Sequence, residues 1–120
     1  PVSITGSMSL ITTHAMDTRI GLPAVGLSVV LEAYRSPQGW QTIAEGKTDS
    51  DGRVFDLLEE GSLEEGLYRI TFDTDGYFVE QEVDAFYPSV SINFQVADPS
   101  QHYHVPLLLS PFGYSTYRGS

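Results

Sequence analysis

Apolar and polar residues alternate with a period of two along most of the chain, and no stretch of ten or more residues has helical periodicity. The clearest case is Val90 to Val96, where Val90, Ile92, Phe94 and Val96 alternate with Ser91, Asn93 and Gln95. That is the pattern of an antiparallel strand with one face buried. Leu67 to Asp73 repeats it, with Tyr68, Ile70 and Phe72 facing in and Arg69, Thr71 and Asp73 facing out. Leu27 to Tyr34 sets Val29, Leu31 and Ala33 against Ser28, Glu32 and Tyr34, with Val30 out of pattern. Ser36-Pro37-Gln38-Gly39 reads as a turn, after which Trp40 to Thr48 returns as the other half of a hairpin, with Trp40 capping the core.

Met8 to Met16 is a poorly alternating strand in which Thr12, His14 and Met16 share a face. Asp17 to Gly26 reads as a loop, punctuated by Gly21, Pro23 and Gly26. Asp51-Gly52 marks a turn into a short strand from Arg53 to Leu57. Leu58 to Gly66 reads as an acidic solvated loop. One short helix is expected from Gly76 to about Glu82, capped by Asp73 or Asp75 and pinned by Tyr77 and Phe78. Seven or eight short strands with a single helix predict an all-β sandwich or barrel.

The last stretch predicts a hairpin. His102 to Leu109 and Tyr114 to Ser120 are strand-like, and Ser110-Pro111-Phe112-Gly113 between them is turn-like. Tyr103, Val105, Leu107 and Leu109 form its core face, so His102, His104, Pro106 and Leu108 lie on the other. Pro106 has no N–H, which predicts an interrupted or edge-like ladder at that point. In the second run Ser115, Tyr117 and Gly119 share one face and Tyr114, Thr116 and Arg118 the other. Tyr117 joins His104 if the hairpin register puts both on one face.

Composition narrows the function classes. At 120 residues the chain is read as one domain, residues 8–120, and Pro1 to Ser7 as an N-terminal extension or an expression scar ahead of Met8. Sixteen acidic residues against six basic ones give a net charge of −10, which argues against nucleic acid and anionic membranes as partners. Cysteine is absent, which excludes a disulfide framework and a thiolate nucleophile. No basic and apolar leader is read at the start, so the expected compartment is cytoplasmic, with periplasm and peroxisome left open.

Candidate chemistry rests on histidine and arginine. Asp49, Asp51 and Gly52 imitate the start of a calcium loop, but Gly52 falls at the fourth position instead of the sixth and no helices flank it. His14, His102 and His104 suggest zinc, yet no carboxylate is placed to complete such a set, and no metal is expected. By composition alone, His14 is more often a surface residue than a catalyst, and Arg53 an ordinary surface arginine.

The run His102-Tyr103-His104-Val105-Pro106-Leu107-Leu108-Leu109-Ser110-Pro111, followed by the terminal Tyr117-Arg118-Gly119-Ser120, resembles the transthyretin-related family in its hydrolase branch. The segment Leu10 to Thr18, followed by Gly21-Leu22-Pro23-Ala24, is similar to that family's N-terminal motif, and Asp51-Gly52-Arg53 to another. The resemblance spans about Leu10 to Ser120. It implies a transthyretin-like (prealbumin-like) β-sandwich of two four-stranded sheets with one short helix. It also implies a homotetramer whose central channel holds the sites, a small-molecule substrate, and no cofactor. The implied activity is hydrolysis of 5-hydroxyisourate to 2-oxo-4-hydroxy-4-carboxy-5-ureidoimidazoline. The implied catalytic residues are His14, Arg53 and His104, with His14, Arg53 and Tyr117 binding substrate. Arg118, Gly119 and the Ser120 carboxylate would support the site, and His102 is the weaker imidazole. The rival expectation is a carrier of small aromatic ligands on the same fold; a structural or adhesion sandwich is a third.

Overall fold

The structure, a computed structural model, describes residues 9–59 and 61–119. The expectations for Pro1 to Met8 and for Ser120 lie outside the described residues. The elements in chain order are β1 (Ile11–Asp17), β2 (Leu22–Pro23), β3 (Ser28–Arg35), β4 (Gly39–Lys47), β5 (Arg53–Val54), β6 (Gly66–Phe72), α1 (Thr74–Glu80), β7 (Val90–Val96), β8 (Tyr103–Ser110) and β9 (Gly113–Thr116).

They form two sheets. One runs β4-β3-β6-β7, antiparallel throughout. The other runs β2-β1-β8-β9, with β5 also on β1. The two-residue strands β2 and β5 share one edge of β1, at Met16–Asp17 and at Thr13–His14 respectively. This sheet is therefore four positions wide although it has five strands. Its central pair, β1 and β8, is parallel, with Thr12 beside His104 and His14 beside Pro106.

The inward faces make one core. Ile11 and Ala15 of β1 and Tyr103, Val105, Leu107 and Leu109 of β8 are buried. They pack against Val29, Leu31 and Ala33 of β3 and Tyr68, Ile70 and Phe72 of β6. Each large apolar side chain buried this way contributes about 1.5–3 kcal/mol. The period-two expectation for β6 and for the core face of β8 holds residue by residue. In β7, Val90 and Val96 are buried, while Ile92 and Phe94, on an edge strand, are only half-buried.

The helix begins two residues earlier than expected because Asp73 caps it. Its Oδ1 accepts from Gly76 N at 3.0 Å, and Thr74 Oγ1 donates to Tyr87 O at 2.8 Å. Tyr77 and Phe78 are buried, as expected. Tyr77 also donates its hydroxyl to Oδ2 of the fully buried Asp17 at 2.8 Å, tying α1 to the end of β1. Burial pushes the Tyr77 phenol up, which keeps it a donor.

Several local expectations change: β5 ends at Val54, short of Leu57, β9 ends at Thr116, and β2 pairs with β1 within the stretch read as a loop. Trp40 does not cap the core. It lies against Tyr34 and Arg69 on the outer face of its sheet, with the Arg69 guanidinium carbon 4.2 Å from its ring centroid. Arg69 also holds Glu32 through two hydrogen bonds of 2.8 and 3.0 Å. Pro106 lies in an interior strand, but the β8–β9 ladder is interrupted beside it. Pairing runs from Ser110↔Gly113 to Leu107↔Thr116 and resumes only at the bridge His104↔Gly119. Thr116 Oγ1 donates to Pro106 O at 2.7 Å and satisfies the carbonyl there.

Candidate functional site

The outer face of the β1–β8 sheet gathers the chemistry in rows. Arg53 is directly opposite His14, and His14 is beside Pro106. The hairpin register, continued from Leu107↔Thr116 to His104↔Gly119, sets Tyr117 across from Pro106. Directly paired residues project to the same face. Arg53, His14, Pro106 and Tyr117 thus cross the sheet in one line. The neighbouring row holds Thr12, His104 and Gly119. On the other side lie Met16, Leu108 and Ser115.

Arg53 is positioned by a turn, and its guanidinium carbon lies 6.0 Å from the Phe55 ring centroid. Asp49 Oδ1 accepts from Asp51 N at 2.8 Å and from Arg53 N at 3.0 Å. These bonds hold the Asp49 carboxyl below the usual carboxylate range. Gly52 takes φ +75° and sends its carbonyl to Ala15 N at 2.7 Å. A Cβ at Gly52 would drive into the Ala15 carbonyl oxygen. The Asp-Gly-Arg run therefore reads as a device that presses Arg53 against β1 beside His14.

His104 is half-buried and fixed on two sides. Its Nδ1 lies 2.8 Å from Thr12 Oγ1. The tail backbone passes over its ring: Gly119 N donates to His104 O at 2.9 Å, and a Cβ at Gly119 would come within 2.5 Å of the imidazole Cδ2. Arg118 turns to the opposite face from Tyr117, as strand parity requires. Its guanidinium carbon lies 4.5 Å from the Tyr103 ring centroid, and Nη2 donates to Gln101 Oε1 at 3.1 Å. That clamp ties the tail to the start of β8.

Burial pushes the His104 imidazole below its usual pKa, and the positive potential of His102, Arg53 and His14 adds to the effect. His104 is consequently neutral near pH 7, the form a general base requires. A cavity of about 200 Å³ touches His104 and Tyr117, but it is lined mainly by Ile92, Phe94, Tyr103, Val105 and Arg118 toward the inner side of the sheet, and its lining holds neither His14 nor Arg53. A larger cavity of about 860 Å³ lies elsewhere, between the β2 region and α1. Its walls carry no histidine and no arginine, so size alone does not mark the reactive centre. Among the described residues no group of three or more His, Asp or Glu is arranged to hold a metal ion.

The residues singled out from sequence therefore come together in part. His14, Arg53, His104, Tyr117 and Gly119 share one face, whereas Arg118 braces from the other side. Sequence reasoning passed over Thr12, whose hydroxyl also lies 2.8 Å from His102 Nε2. Its parity with His14 was the available signal, but a threonine in a strand carries no distinctive mark.

A family model described as HIUase/Transthyretin family matches residues 11–119. The 5-hydroxyisourate hydrolase of Salmonella typhi is 40% identical over 99% of this chain and 87% of its own length. A sea bream transthyretin solved in complex with thyroxine superposes with a TM-score of 0.87 at 32% identity, covering 92% of this chain and 95% of that one. The 5-hydroxyisourate hydrolase of Klebsiella pneumoniae superposes with a TM-score of 0.81 at 31% identity, covering 92% and 97%.

Proposed function

The chain belongs to the HIUase/transthyretin family, and on that premise we propose that it is an enzyme of urate catabolism that hydrolyses 5-hydroxyisourate. The product is 2-oxo-4-hydroxy-4-carboxy-5-ureidoimidazoline. The observation that carries the reading is the grouping of Arg53, His14 and Tyr117 in one row with His104 in the next. The reaction opens a lactam by attack of water on a ring carbonyl. It needs a base that is neutral near pH 7, a cation for the developing oxyanion, and donors that orient an acceptor-rich ring.

His104, with His14, orients the water, and His104 removes its proton. Arg53 grips the substrate and stabilises the oxyanion. Tyr117 donates a hydrogen bond to the ring. Gly119 and the Arg118 clamp hold the tail in place, and Ser120 is taken as a further supporting residue. No cofactor is invoked in any of these steps. The domain is taken as residues 8–120.

The active form is proposed to be a homotetramer with this face turned to a central channel. Two features of the single chain support that reading. Leu108 and Tyr117 remain 38% and 60% exposed on the reactive face. Among the described residues the outer edges of β7 and β9 are unpaired, and strands with such edges are ready partners for another copy.

The test is a spectrophotometric assay with freshly generated 5-hydroxyisourate. The wild type should accelerate its decay, and His104→Ala should lose at least about tenfold in kcat while keeping its melting temperature. Tight binding of an aromatic ligand without turnover would favour the carrier reading instead, which the likeness to the thyroxine-bound transthyretin keeps in view.

A further inference from the structure

The Thr12 hydroxyl sits 2.8 Å from two imidazole nitrogens at once, His104 Nδ1 and His102 Nε2. A hydroxyl has a single hydrogen, so it donates to one ring and accepts from the other. Two neutral arrangements result. In the first, His104 Nδ1–H donates to Thr12 and Thr12 donates to His102 Nε2, which leaves His104 Nε2 with a lone pair. In the second both bonds reverse, and the hydrogen on His104 moves to Nε2. Moving one proton along each bond converts the first into the second when His104 Nε2 gains a proton from outside and His102 Nδ1 releases one to water.

The surroundings give this chain of bonds a direction. Thr12 is 2% exposed, so water does not compete at its centre. In the single chain His102 is exposed, and so the outer end is the more hydrated one. His104 is half-buried at the inner end, and among the described residues no hydrogen bond engages its Nε2. The charged or titratable groups facing His104 are His102, Arg53 and His14, with Tyr117 and Arg118 on the tail beside it.

We propose that Thr12 and His102 form a proton relay for the hydrolysis described above, carrying the proton that His104 takes from water out to the solvent-exposed ring. The inference rests on that functional reading. As the water oxygen bonds to the carbonyl carbon, His104 Nε2 takes the water proton. His104 Nδ1–H passes to Thr12 Oγ1, and the Thr12 hydrogen passes to His102 Nε2. The negative charge rests on the oxyanion and the positive charge on His102. When the ring C–N bond breaks, the hydrogen on His104 Nε2 passes to the leaving nitrogen, while the His102 Nε2 hydrogen returns to Thr12 and the Thr12 hydrogen to His104 Nδ1. Burial and the neighbouring positive groups disfavour an imidazolium at His104, whereas water solvates one at His102. Thr12 is thus a positioning and relay residue, and His102 the reservoir.

The relay makes a prediction that needs no substrate. Protonating His102 turns its Nε2–H toward Thr12, which must then donate to His104 Nδ1 and force the Nε2–H form of His104. The experiment combines ¹⁵N NMR of imidazole-labelled protein with kinetics of Thr12→Val, Thr12→Ser and His102→Gln. In wild type the His104 hydrogen should switch nitrogens as His102 titrates; in Thr12→Val the two rings should titrate independently. Thr12→Val and His102→Gln should lose at least about tenfold in kcat with KM unchanged, while Thr12→Ser stays within about threefold. Mixed H₂O/D₂O rates should curve for wild type and be linear for Thr12→Val. A His104 tautomer indifferent to His102 protonation overturns the relay, as does wild-type kcat in Thr12→Val. A wild type with no turnover overturns the hydrolase reading, and the NMR result still decides the wiring.

Discussion

Burial acts on the His104 ring first, and with it the positive potential of His102, Arg53 and His14, the Thr12 hydroxyl and the Gly119 backbone. Its depressed pKa has a definite sign. The folded state favours the neutral ring more than the unfolded chain does. Its stability contribution is therefore complete above the ordinary value of 6.5 and is lost as pH falls through the lower folded value. In His102→Gln, where no second imidazole can block the base by protonating first, the acid limb of kcat/KM should accordingly lie below pH 6.5; a limb at or above that value would contradict the proposed base. Gly119 gives a second prediction. A methyl group there meets the imidazole Cδ2 at 2.5 Å, so Gly119→Ala must displace the tail or the ring. Displacements of this order cost about 100-fold in rate where positioning matters. Activity should fall strongly while the thermal midpoint barely moves, because the tail lies at the edge of the fold. His14 and Arg53 were legible as family positions, but their direct pairing was not, since 39 residues separate them and only the β1–β5 register unites them.

Among the elements, those with clean alternation were the most legible. β6, β7 and the core face of β8 were readable because one face of each meets the other sheet. The two-residue strands were not, because β2 and β5 are too short to show a period. They exist through their edge pairing to β1. The Asp49–Arg53 turn shows how such a short element is secured. Gly52→Ala would combine a left-handed backbone with a collision against the Ala15 carbonyl oxygen. We expect a loss of about 1–3 kcal/mol in denaturant unfolding, together with a raised KM as Arg53 leaves the row. An Ala variant with wild-type stability and KM would show that the turn does not set this geometry. Pro106 was read correctly as a break in pairing, but its edge-like alternative was not realised. The ladder is broken only toward the tail, where the Thr116 hydroxyl serves the carbonyl.

At the scale of the whole molecule, the reactive face lies on the outside of a single chain. A neutral base, a guanidinium and a phenol on an open sheet surface would work in bulk water, where electrostatic stabilisation is weak. A tetrameric channel would exclude that water. Leu108, beside Met16 on this face, offers a direct test. Leu108→Glu should shift the sedimenting species away from tetramer and abolish turnover while each sheet remains folded by circular dichroism. A fully active tetramer carrying that glutamate would show that no partner covers the face. Among the described residues no helix is long and apolar enough to cross a membrane.

By itself the sequence determined where the longer strands lie, which side of the cleanly alternating ones enters the core, and that the histidines of the final hairpin lie on the opposite side. Those properties follow from local alternation and turn chemistry, which act over a few residues. Only the tertiary structure decided that β1 and β8 run parallel as neighbours, that β5 places Arg53 against His14, and that Thr12 joins two imidazoles 90 and 92 positions away. Pairing between distant strands is selected by the packing of whole sheets, and no short window of residues carries that information.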